Sequence, residues 1–116
     1  MTPNDLSKLS GEILTFIKER DWEQFHSPKN LAIALSVEAS ELLEIFTWQK
    51  SSDVGLVEEK LDHIKDEVGD ILIYLIDFCE QLQLDPIECA SQKMKKNREK
   101  YPINKAKGNS TKYTEL

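Results

Sequence analysis

Four carboxylates stand out by their spacing. Glu38 and Glu41 lie three residues apart, and Glu67 and Asp70 repeat that interval after 25 intervening residues. On a helix, residues three apart are surface neighbours, with Cβ atoms ~5–6 Å apart. The acids interrupt apolar rows: Leu31, Leu35 and Leu42 align with Glu38; Ala34, Val37 and Ile45 with Glu41; Ile64 and Ile71 with Glu67. Carboxylates turned toward a core repel one another and are costly to desolvate, so they require a compensating cation. An all-oxygen ligand set suits Mg²⁺ or Mn²⁺ better than zinc. Mg²⁺ keeps some water and shares its coordination with substrate phosphates. Two such pairs on facing helices can therefore clamp a metal–triphosphate complex. For either pair alone, solvated helix charges paired with lysines are the plainer reading. Carboxylate-bound iron in a helical bundle wants Glu-x-x-His, and His63 stands four residues before Glu67, in the wrong order.

The elements that must position these acids read as helices. A first helix starts near Asn4 or Asp5, both good N-caps. It carries Leu6, Leu9, Ile13, Phe16 and Ile17 at helical spacing and ends near Arg20. Asp21 to Ser27 reads as a loop holding Trp22, Phe25 and His26. Ser27-Pro28 is a cap followed by proline at the first helical position, opening a second helix that runs to about Trp48. Residues 50–55 read as a loop. A third helix is expected from Leu56 to about Leu82, ~40 Å long. Gly69 in its middle costs ~1 kcal/mol relative to alanine, which suggests a packing or site-related reason for the missing side chain. Asp85-Pro86 opens a fourth helix that Pro102 stops. The pattern predicts an all-α, four-helix-bundle-type catalytic domain over residues 1–102, then a polar, mobile tail over 103–116.

The charge balance narrows the partners. The 116 residues carry a net charge of −6, unevenly spread. Through residue 92 there are seven Lys/Arg against nineteen Asp/Glu; over 93–107 there are seven against Glu99 alone. The acidic body argues against a nucleic-acid polymer as partner, which needs a broad basic face. The basic segment can meet a small anion, or simply suits the negative end of a helix dipole. No apolar leader and no membrane-length apolar stretch is visible, so a soluble, cytoplasmic protein is expected. Cys79 and Cys89 have neither metal nor redox spacing and are expected to pack in the core.

Read together, Glu38-Ala-Ser-Glu41 and Glu67-Val-Gly-Asp70 form an ExxE, spacer, ExxD signature. With it come Arg20-Asp-Trp-Glu-Gln-Phe-His26, Phe46-Thr-Trp48, Asp70-Ile-Leu-Ile-Tyr74, Lys93-Met94, Asn97-Arg98, Tyr101-Pro102 and Lys112-Tyr-Thr-Glu-Leu116. In these segments the chain resembles the MazG-like all-α nucleoside triphosphate pyrophosphohydrolases, and among them the dCTP pyrophosphatase branch. The resemblance implies attack of water on an α-phosphate with pyrophosphate leaving. It implies Glu38, Glu41, Glu67 and Asp70 as ligands of Mg²⁺, with one glutamate also acting as general base. It further implies Trp22 and Trp48 flanking the base, and Tyr74 contacting the nucleotide. Lys93 and Asn97 would reach the phosphates or base. By the same resemblance the assembly is a homodimer or homotetramer whose pocket a neighbouring subunit completes. Without it, the tryptophans would read as core residues and Lys93 and Asn97 as solvated.

Two departures matter. Val37 stands where broader members carry a second glutamate. Relatives specific for dCTP can carry a histidine on the first helix where this chain has Ile13. That base contact is missing here; dCTP or a modified dCTP is the expected substrate, with dUTP or broad or damaged-nucleotide specificity as the alternative. A non-enzymatic helical interaction module is the remaining alternative. His26 reads as a loop or capping residue.

Overall fold

The structure, a computed structural model, describes residues 3–48 and 54–116. Among the described residues it is all-α, as the periodicity predicts: α1 (Pro3–Glu19), α2 (Pro28–Phe46), α3 (Val54–Glu59), α4 (Leu61–Gln81), α5 (Pro86–Lys100) and α6 (Ile103–Ala106), with 3₁₀ turns at Glu23–Phe25 and Tyr113–Glu115. By their contacts the residues fall into two compact units, one ending at Gln83 and one running from Leu84 to Leu116. No described helix is long and apolar enough to cross a membrane.

In the first unit α2 and α4 form the principal pair, and α1 packs on α4. Ile13 and Ile17 of α1 close on Ile76 of α4, with Leu6 and Leu9 beside them. The Ser10 hydroxyl donates to Glu80 Oε1 at 2.6 Å, a second tie between these helices. Ser27 caps α2 by accepting from the Asn30 amide at 3.2 Å, with Pro28 in the first turn. Leu31, three residues on, is fully buried.

The end of α1 has a consequence for the site. Asp21 adopts a left-handed conformation (φ 55°). The Trp22 amide donates back to the Ile17 carbonyl and the Asp21 amide to the Lys18 carbonyl, both at 3.1 Å. These are the two bonds of a Schellman motif. The turn folds Trp22 back over the last turn of α1, where its ring meets Phe16 edge-on at 5.8 Å.

Several expectations are corrected. The long third helix is two pieces. The Lys60 amide still donates to the Leu56 carbonyl and the Ile64 amide to the Lys60 carbonyl, both at 2.9 Å. The helix breaks at Lys60, where ψ turns to 11°, and only these two bonds bridge the junction. Of the expected loop at 50–55, residues 50–53 lie outside the described residues, while Val54 and Gly55 are helical. A Cβ at Gly69 would meet nothing within 4 Å, so no packing within this chain requires that glycine. Cys79 is buried as expected, but Cys89 is exposed because α5 is polar on most of its surface. The tail expected to lack structure contains α6 and a 3₁₀ turn. Tyr113 packs edge-on against Tyr101 at 6.0 Å, and Lys100 sits 4.6 Å over its ring.

Because aspartate tolerates the left-handed region better than a β-branched residue does, Asp21→Val should cost about 1–2 kcal/mol. Asp21→Gly should be neutral or mildly stabilising. Thermal melts followed by circular dichroism check both.

Candidate active site

The α2–α4 pairing brings the acids together. One carboxylate oxygen each from Glu38, Glu67 and Asp70 lies within 4.8 Å of the others. Glu67 is 6% exposed, Glu38 is half-buried and Asp70 is open to solvent. Glu38 Oε2 and Glu67 Oε2 are out of water with no hydrogen-bond partner. The other Glu67 oxygen lies 3.4 Å from His63 Nε2. Burial, foremost, pushes the Glu38 carboxyl up to about 7. The neighbouring carboxyls of Glu67 and Glu41 add to this, and so do the charges of Glu41 and Asp70. Glu41, one turn along α2, is exposed and stands outside the group of three. Its row, expected to face the core, is mixed in this chain: Val37 is half exposed while Ala34 and Ile45 are half-buried.

This donor set fits a hard divalent cation. All donors are oxygens, and two buried oxygens lack a positive partner, which an ion would supply.

Asp70 belongs to a second feature. It lines a cavity of about 350 Å³ between α1, the turn after it, and α4. Ile13, Trp22, His26, Tyr74 and Asp77 line the same cavity. The volume is in the range of small-molecule sites. Trp22 keeps much of its ring accessible, 6.2 Å from the His26 ring at a 39° tilt. Burial, followed by the charges of Glu38, Asp70, Asp77 and Glu41, pushes the Tyr74 hydroxyl above its ordinary value. It therefore stays a neutral phenol, able to donate at neutral pH.

His26 caps the 3₁₀ turn as expected, its amide donating to the Glu23 carbonyl at 3.3 Å. Its side chain does more: Nδ1 lies 2.7 Å from Asp77 Oδ2, and Asp77 is 1% exposed. The signal was available on α4. Asp70, Tyr74 and Asp77 fall four and seven residues along one face, so a third acid shares the face of the motif and needs a partner. Trp48 is not brought to the cavity; it is 92% exposed at the end of α2. Lys93 and Asn97 lie on α5 in the second unit, where Lys100 and Lys96 lower the Lys93 pKa by charge repulsion, Lys100 most.

A profile of the MazG-like family matches residues 33–116. This chain belongs to the MazG-like family. All four motif acids lie inside the matched residues; Ile13, Trp22 and His26 lie before them. Human dCTP pyrophosphatase 1 is 38% identical over 118 residues, covering 99% of this chain and 68% of that protein. The mouse dCTP pyrophosphatase 1 is 36% identical with the same coverage. A crystal structure of a pyrophosphatase from Archaeoglobus fulgidus superimposes with a TM-score of 0.83 at 38% identity, covering 88% of this chain and 96% of that one. The MazG-like fold expected from the ExxE and ExxD motifs is therefore the fold of this chain.

The Glu38 shift sets a pH dependence. Its carboxyl holds a proton more tightly in the folded chain (about 7) than at its ordinary 4.5. The folded state then binds more protons than the unfolded state between these values, so stability falls as pH rises from about 4.5 to about 7. Glu38→Gln imitates the protonated group. In the presence of a chelator its melting temperature should fall less than the wild type's between pH 5 and pH 8.

Proposed function

We propose that this chain is a divalent-cation-dependent nucleoside triphosphate pyrophosphohydrolase, with Mg²⁺ (or Mn²⁺) as its ion. Its preferred substrate is dCTP or a modified dCTP, which water converts to the monophosphate and pyrophosphate. The reading rests on Asp70, which is shared by the acidic cluster and the cavity. One residue thus joins a place for phosphates to a place for a base.

Glu38, Glu67 and Asp70 hold the ion, and Glu67 contributes an oxygen that is otherwise buried and orphaned. A bound cation there supplies charge neutralisation of the phosphates and lowers the pKa of a coordinated water. Glu41 completes the set of four motif acids. Because it stands outside the close group, we assign it the proton of the attacking water. Trp22 offers a face to the base; stacking of this kind is worth ~1–3 kcal/mol. The Tyr74 hydroxyl donates to the nucleotide. The names and identities of the relatives support dCTP over dUTP or a damaged nucleotide.

The proposal includes assembly. Ile33, Leu43 and Val68 are more than half exposed, with Leu43 at 67%. Such surface suits a homodimer or homotetramer. Trp48, Lys93 and Asn97 are assigned to a nucleotide site completed by the neighbouring subunit. Neither a nucleic-acid polymer nor a membrane is a partner, and the enzyme works in the cytoplasm.

Incubation with Mg²⁺ and each nucleotide, followed by product separation, tests the reaction. The expected products of dCTP are dCMP and pyrophosphate; orthophosphate release, or no turnover, would overturn it. Glu67→Ala should lose both turnover and the rise in melting temperature that Mg²⁺ confers on the wild type. Glu41→Gln should keep the Mg²⁺-induced rise and lose at least about a hundredfold in kcat, the usual contribution of a general base. Loss of the rise as well would make Glu41 a ligand.

A further inference from the structure

Asp77 is a nearly fully buried carboxylate that the proposed phosphate chemistry does not use. Its Oδ2 is 2.7 Å from His26 Nδ1, and Gln81 Nε2 is 3.4 Å from its Oδ1. An acceptor-only carboxylate at Nδ1 selects the tautomer with its proton on Nδ1. In that tautomer Nε2 carries the lone pair, and His26 lines the cavity.

Position along α4 tells what this lone pair can meet. Asp77 follows Asp70 by seven residues, about 10 Å of helix rise. That is the reach from an α-phosphate held at the acid cluster, across a sugar, to the far edge of a pyrimidine. Trp22 stands next to the His26 ring and supplies the stacking face. Ile13 also lines the cavity but offers no hydrogen bond.

We propose that His26, held in one tautomer by Asp77, reads the base edge by accepting a hydrogen bond from an exocyclic amino group, selecting cytosine over uracil. His26 is then a specificity-determining residue and Asp77 a positioning residue. The inference rests on the nucleotide reading of the same cavity. A 4-amino group donates to Nε2. A 4-oxo group places a second acceptor against it and leaves both unpaired, which is costly in a closed site. A pair that only anchors the loop to α4 would leave base preference unchanged when altered.

Asp77→Asn is the direct test. Its side-chain amide donates to Nδ1, which moves the ring proton to Nε2 and turns the acceptor into a donor. The kcat/KM ratio of dCTP to dUTP should fall about tenfold, the value of one neutral hydrogen bond, with dUTP turnover retained or increased. His26→Gln is the second variant, used also if Asp77→Asn fails to melt cooperatively. Its amide still donates to Asp77 but lacks the ring acceptor, so it too should lower the ratio. An unchanged ratio in the folded variants, or a shift toward dCTP, would overturn the inference while the pyrophosphohydrolase reading stands. If the wild type turns over no nucleotide, that reading fails instead. Calorimetric binding of dCMP against dUMP to the same proteins then decides the base contact, by the same ratio.

Discussion

A carboxylate oxygen removed from water without a donor is among the costliest groups a small domain can hold. Glu38 Oε2 and Glu67 Oε2 are two of them on paired helices. Both lie in the first unit, where Leu31 on α2 and Ile76 on α4 are buried. The chain alone has one means of relief, which is to keep a proton on Glu38. That is the meaning of a carboxyl pushed up to about 7. A divalent cation is the other, and it must displace the proton to bind. Proton and metal thus compete for the same oxygens, and the fold holds the site in readiness for whichever is present.

Around this constraint α4 works as a ruler. Asp70 ends one side of the cavity, Tyr74 stands a turn on, and Asp77 a turn beyond that. In the proposed reading, a nucleotide laid along this face meets phosphate chemistry first and base recognition last. The opposite wall comes from α1 and the turn that ends it. Asp21's left-handed conformation brings Trp22 back onto the helix, so a local backbone choice places the stacking surface.

The acid cluster was legible because acids in apolar rows contradict the local pattern, and the contradiction is visible at a spacing of three. Helix starts at Pro28 and Pro86 were legible for a similar reason, since a cap followed by proline has few other meanings. The break at Lys60 was not, because neither proline nor glycine marks it. Glu41 was read as inward-facing with its apolar row, but Glu41 and Val37 are exposed while Ala34 and Ile45 are half-buried. The contact of the His26 ring was not legible because its partner lies 51 residues away, and loop geometry alone does not reveal a tertiary contact. Asp77 sat in plain view on the face of Asp70, outside the motif that drew attention.

The two functions asked of the cavity fall on different stretches of chain. The acids lie within residues 33–116, which match the family profile, whereas Ile13, Trp22 and His26 precede them. Metal and phosphate demand the same oxygens whatever the base, so that part of the chain has little freedom. The first wall has more: in the proposed reading its residues face the base and leave the ion alone. A hydrophobic residue at 13 and a histidine at 26 are then one solution among several for the same pocket. Asp77 is the bridge between the two regimes. It sits on the helix that carries the ligands, yet its bond is to the loop that reads the base. A change at Asp77 therefore acts on recognition through His26, without removing an oxygen from the ion.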